Sequence, residues 1–173
     1  DADIYIRPSA PNIFDDVSKH VDFAAVVERD MPINDKYKRK IAGYSRGQYK
    51  PLAKEIKLDW RPDTGCEFMN MGLIVINKSL KPYLHDQTPE QFIRRPEFKR
   101  FVDGLNMWKW STDQTLLNYW IRKEPIKYQK LDWKWNGLFS ANTRIKECHF
   151  VHFFLKDHLP ERGENVEQLM KQI

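Results

Sequence analysis

The sequence predicts an α/β fold built on a mixed central sheet. Segments with the two-residue alternation of a strand and segments with helical spacing follow one another along the chain, the pattern of a layered α/β domain. Residues 68–77 (FMNMGLIVIN) are almost wholly apolar, as expected of a strand buried on both faces in mid-sheet. At 173 residues, with 41% apolar and 31% charged side chains, the chain is long enough to close one core without staples.

In chain order, residues 1–6 alternate polar and apolar and stop at Arg7-Pro8, which predicts a strand running into a loop. Ile13, Phe14 and Val17 predict a short helix after Asn12, within 11–19. Residues 23–27 form a compact apolar strand. Residues 30–61 are polar and basic, with weak periodicity, and read as a long loop holding a helical turn or two. Loops of that length are usually lids or binding loops. After the strand at 68–77, Thr88-Pro89 opens a helix to Phe101, and Ser111 to Gln114 opens another through Trp120. A strand at 126–131, an aromatic loop at 133–142, a strand at 147–153 and a terminal helix at 164–173 complete the order.

Composition narrows the function. The net charge of +5 suits a polyanionic ligand such as a diphosphate, but no dense Lys/Arg block argues for nucleic acid. No apolar run reaches the ~18 residues of a membrane span. Two cysteines, Cys66 and Cys148, make neither a disulfide framework nor a metal-ligand pair. They favour a reducing compartment, hence a cytoplasmic placement. Aromatics at 13%, six of them Trp, suggest that some rings line a cleft, as they do where sugars bind.

Five features carry candidate chemistry. Asp1-Ala2-Asp3 places two carboxylates at a strand end, where both can reach a hard cation such as Mn²⁺ or Mg²⁺ and leave positions free for phosphate oxygens. His152 closes an apolar strand and suits Mn²⁺ as a further ligand; Lys156 follows it and could neutralise a leaving phosphate. Strand alternation puts His149 on the face opposite His152, so at most one of them ligates. Asp113 and Gln114 stand at a helix start, either facing sugar hydroxyls or, for Gln114, closing a capping box with Ser111. Asn70 in a buried strand needs partners, and Gly72 beside it permits close approach of a ligand or marks a bulge. Trp135-Asn136-Gly137 is a turn that could border a sugar site.

The order of these elements resembles the catalytic half of A-type-fold (GT-A) nucleotide-sugar glycosyltransferases. It is nearest the family 8 group that includes glycogenin and the bacterial lipooligosaccharide galactosyltransferases. The resemblance runs from Asp1 to about His158, and it implies a role for each matching position. Asp1, Asp3 and His152 would hold Mn²⁺ (or Mg²⁺), with Asp1, Asp3 and Lys156 at the donor diphosphate. Asp113 would bind donor-sugar hydroxyls, Gln114 would lie near the anomeric carbon, and Asn70 near the acceptor or transferred sugar. A UDP-sugar is the implied donor and a glycan or glycoprotein the acceptor. Transfer in the family retains configuration, and because an amide is a poor nucleophile, a same-face route shielded by the leaving phosphate is expected.

This sequence departs from the family where the histidine segment normally carries a Gly and then Lys-Pro-Trp, which leaves His149 as a competitor and Lys156 open. The nucleotide-binding half that precedes Asp-x-Asp in such folds is also absent. Residues 1–173 are therefore expected to be the C-terminal part of one catalytic domain, from the Asp-x-Asp motif onward. The alternatives are another metal-dependent phosphate-ester enzyme, or a non-catalytic module that binds carbohydrate or nucleic acid.

Overall fold

Phe23–Val27 (β2 below) is the spine of the molecule, and every one of its residues is buried. The computed structural model describes residues 3–109, 111–153 and 173. Its strands are β1 (Ile4–Ile6), β2 (Phe23–Val27), β3 (Trp60–Arg61), β4 (Gly65–Cys66), β5 (Met69–Ile76), β6 (Tyr128–Leu131), β7 (Gly137–Leu138) and β8 (Phe150–His152). Its α-helices are α1 (Asp35–Gln48), α2 (Pro89–Ile93), α3 (Lys99–Val102) and α4 (Asp113–Lys123). The α/β class with mixed sheets is as the sequence predicts.

β2 lies between β5 and β6. It runs antiparallel to β5, pairing Phe23 with Ile76 and Val27 with Met69, and parallel to β6, pairing Phe23 with Tyr128 and Val26 with Leu131. Ala24 and Ala25 have no exposed surface, so small side chains let both faces of this strand be covered closely. The register slips between Ala25 and Val27, and the chain then turns at once into a 3₁₀ segment, Glu28–Asp30. Glu28 thus sits just beyond the carboxyl end of the central strand, where α/β folds place ligands.

A second sheet, in the order β1-β8-β7, joins the two ends of the described chain. β1 runs antiparallel to β8, with Ile4 opposite His152, and β7 runs parallel to β8. The 3₁₀ segment Trp133–Asn136 links β6 to β7 and ties this sheet to the first. Within it Trp135 and Asn136 are buried, and Trp135 Nε1 donates to Asp16 Oδ2 at 2.8 Å.

Four elements differ from expectation. Residues 30–61 are not a loop: α1 occupies fourteen of them, and β3 with β4 forms a hairpin over Pro62, Asp63 and Thr64. Asn34 caps α1, its side chain accepting from Tyr37 N at 2.9 Å. The buried face carries Tyr37, Ile41, Ala42, Ser45 and Gln48, which is helical spacing written largely in polar residues. Among the described residues β5 stands at the edge of its sheet rather than in the middle, and it is buried on both faces only from Met69 to Gly72; beyond that it alternates, with Ile76 59% exposed. The helix expected over 88–101 breaks at Pro96, leaving α2, a 3₁₀ turn and α3. The helix expected within 11–19 is a single 3₁₀ turn, Ile13–Asp15. The helix expected at 164–173 lies outside the described residues. Among those residues no helix is long and apolar enough to cross a membrane.

Candidate active site

A cleft of about 280 Å³ opens where the carboxyl end of β2, the first half of β5, α1, the start of α4 and β8 meet. α1 supplies one wall through Tyr37, Lys40, Ile41 and Tyr44, and Phe68 continues it just before β5. β5 supplies Asn70, Met71 and Gly72; α4 supplies Asp113 and Gln114 behind Thr112; β8 supplies His152. Asn70, Asp113, Gln114 and His152, separated widely in the chain, therefore converge on one cavity.

Its floor is a closed hydrogen-bond network around Glu28. Asn70 Nδ2 donates to Glu28 Oε2 at 3.3 Å, and Gln114 Nε2 donates to the same oxygen at 3.4 Å. The Tyr37 hydroxyl bonds Glu28 Oε1. Asn70 Oδ1 accepts from Gly72 N at 2.9 Å and from Asn136 Nδ2 at 2.8 Å, and Gln114 Oε1 accepts from Met71 N at 3.3 Å. Burial drives the Glu28 carboxyl above the usual glutamate range, against the opposing pull of its bonds from Tyr37, Asn70 and Gln114. Burial, followed by the charge of Glu28, pushes the Tyr37 phenol up as well.

β8 brings His152 to Asp3. Because Ile4 pairs with His152, the residue before the ladder stands beside the imidazole, and Asp3 Oδ1 lies 3.3 Å from His152 Nε2. The imidazole is nearly enclosed, whereas the Asp3 side chain is half exposed. Burial lowers the His152 pKa and Asp3's charge opposes that fall, so the ring favours the neutral form that ligates metals. Neighbouring donors on a six-coordinate divalent ion with bonds near 2.1 Å stand about 3 Å apart. The spacing and the donor types of Asp3 and His152 fit such an ion. Among the described residues there is no group of three or more His, Cys, Asp or Glu side chains disposed to hold a metal. Asp1 and Lys156 lie outside the described residues. His149, the competitor, packs its ring on Trp135 at 4.8 Å between centroids, away from Asp3.

Several local expectations change. The capping box of Ser111 and Gln114 does not form; Thr112 stands at the N-cap of α4 without a side-chain cap bond, and Gln114 turns to β5 and Glu28 instead. Asp113 sits exposed in the first turn at the rim. The close approach that Gly72 permits is made by the protein's own imidazole: a Cβ there would stand 2.3 Å from His152 Cε1. Trp135 and Asn136 do not border the cavity; they back it from behind, Asn136 by holding Asn70. The rings that line the cleft are Tyr37, Tyr44 and Phe68, and none of the described tryptophans does. Glu28 was not singled out from the sequence. Its only signal is its place, an acidic residue directly following a wholly apolar strand.

No protein-family model and no curated protein matches the chain. Among solved structures, the apo form of mouse xyloside xylosyltransferase 1 aligns over 91% of this chain, with 16% identity and a TM-score of 0.45. The chain spans 57% of that protein's length.

Proposed function

We propose that the chain carries the acceptor-side and metal-side residues of a glycosyltransferase that takes its sugar from a nucleoside-diphosphate donor, a UDP-sugar, and passes it to a glycan or glycoprotein. One observation supports this most: the polar residues singled out in order along the sequence, Asn70, Asp113, Gln114 and His152, share one cavity, with Asp3 against His152.

In this reading Asp3 and His152, with Asp1, hold Mn²⁺ at the cleft mouth, and Lys156 meets the phosphates. The bound cation would supply charge neutralisation for the departing diphosphate. Asp113, exposed and acceptor-only at the rim, takes hydrogen bonds from donor-sugar hydroxyls. Gln114 is held by Met71 N at its oxygen and by Glu28 at its NH₂, and an amide oxygen is a poor nucleophile toward an anomeric carbon. That favours same-face transfer over a covalent glycosyl intermediate, hence retention of configuration. The apolar wall of Tyr37, Tyr44 and Phe68 gives the sugar ring a surface to lie on and limits water.

The test is ligand-dependent thermal stability over a panel of nucleotide sugars. With Mn²⁺, UDP or one UDP-sugar at about a hundred times its Kd should raise Tm by roughly 5–10 °C. Chelating the metal should remove the shift, and Asp3→Ala should abolish it. UDP binding by Asp3→Ala as tight as the parent's in Mn²⁺ overturns the reading.

A further inference from the structure

We propose that Glu28 is a positioning residue of this cleft and works as an uncharged acid, holding the Asn70 and Gln114 amides in the one orientation that the donor sugar meets. The inference rests on the glycosyltransferase reading and adds to it a residue and a protonation pattern.

The network dictates the assignment. Gly72 N is a backbone donor, so the Asn70 atom facing it at 2.9 Å must be the oxygen; Met71 N fixes the Gln114 oxygen in the same way. Both NH₂ groups are then obliged to face Glu28 Oε2. That oxygen can only accept. A proton on the carboxyl belongs on Oε1, toward Tyr37, whose phenolic oxygen can accept it as readily as its hydroxyl can donate. The Tyr37 hydroxyl donates to Oε1 when the carboxyl is ionised and accepts from it when the carboxyl is protonated, so the network admits the neutral form, and burial of the carboxyl favours it.

The surroundings favour that form. Glu28 is 4% exposed, and burial acts on its carboxyl as described above. The ionisable groups that share the cleft are Tyr37, Lys40 and Tyr44 from α1, Asp113 from α4 and His152 from β8. Lys40 is the one lysine or arginine among the described residues that line the cleft, and it is exposed. None of them is a buried cation paired with Glu28.

A neutral acid with its acceptor on one side and its donor on the other has the hydrogen-bond pattern of a glutamine. Glu28→Gln can place its carbonyl oxygen at the Oε2 position and its NH₂ toward Tyr37, and so keep the whole network. Glu28→Asp keeps the acid but withdraws it by one methylene. Glu28→Ala leaves two buried NH₂ groups without an acceptor.

The experiment measures Mn²⁺-dependent affinity for UDP and for the UDP-sugar that the parent binds best, in the three variants, with circular dichroism confirming the fold. Glu28→Gln should bind both within about twofold of the parent. Glu28→Asp and Glu28→Ala should keep UDP affinity within about twofold but lose roughly tenfold for the UDP-sugar, the cost of one misdirected polar contact. If the parent binds no UDP with Mn²⁺, the glycosyltransferase reading falls and this inference with it. Should the parent bind while Glu28→Gln fares no better than Glu28→Asp, the charge is needed and the Glu28 inference alone falls. Equal losses for UDP and UDP-sugar in folded Glu28→Asp also overturn it, because they mark a general structural role.

Discussion

A Cβ built on Gly72 would lie 2.3 Å from His152 Cε1, 2.5 Å from its Nδ1 and 3.0 Å from Asn70 Oδ1. The two distances to the imidazole are closer than a Cβ can stand, the third is tight, and the imidazole, nearly enclosed, has little room to withdraw. The glycine is there for space, since its φ is not in the left-handed region. Gly72→Ala should therefore push the imidazole off Asp3 and cost about 1–3 kcal/mol through overpacking. Urea denaturation reads the stability loss, and Mn²⁺-dependent UDP binding should fall by at least tenfold. A variant that binds like the parent would show that the close packing of β5 on β8 does not place His152. In the sequence, Gly72 announced a close approach and Asn70 a buried polar group with partners. The identities of those partners are not legible, because they come from residues 28, 136 and 152, which only the fold brings together.

At the scale of elements, the cleft depends on how α4 is held against β5. β5 is an edge strand, and at its start a side chain stands in for a neighbouring strand. Asn118 Oδ1 accepts from Met69 N at 2.7 Å, and its Nδ2 donates to Met69 O at 2.7 Å. Arg122 Nη1 donates to the same Oδ1 at 2.8 Å, so the amide cannot flip. One turn earlier on the same helix, Gln114 repeats the device at Met71 N. Asn118→Ala should leave both Met69 backbone groups buried and unpaired, costing roughly 3 kcal/mol in chemical denaturation. The same change should weaken UDP-sugar binding, since α4 carries Asp113 and Gln114. A loss under ~1 kcal/mol would mean that water or a neighbouring strand replaces the amide. The opposite wall shows where sequence reading failed. α1 reads as loop in the sequence because its buried face is mostly tyrosine, serine, glutamine and alanine around one isoleucine, and because it contains Gly43 and Gly47. Asn34 with Asp35, a cap followed by an acidic first turn, was the legible sign. β2 needed no such sign, because its apolar run is buried throughout, and β5 reads as a strand although its second half reaches the surface.

For the whole molecule, the decisive arrangement is the β1–β8 ladder, which brings residues from opposite ends of the described chain into register. The two strand segments were readable separately. Their pairing was not, since antiparallel partners so distant in sequence leave no local signature, and the approach of Asp3 to His152 follows from the pairing alone. If these side chains share one cation, they act as a unit rather than as two contacts. Asp3→Ala and His152→Ala should each then remove most of the Mn²⁺-dependent UDP affinity, and the double variant should lose little more than the worse single one. Two independent contacts would instead give losses that add within ~0.5 kcal/mol. A second cycle should read folding stability by urea denaturation, with and without Mn²⁺. Without the metal, the interaction energy should shrink to that of a half-exposed carboxylate beside a buried imidazole, on the order of 1 kcal/mol or less. A coupling of equal size in both conditions would assign the pair to holding β1 on β8, and the metal would have to be sought elsewhere in the cleft.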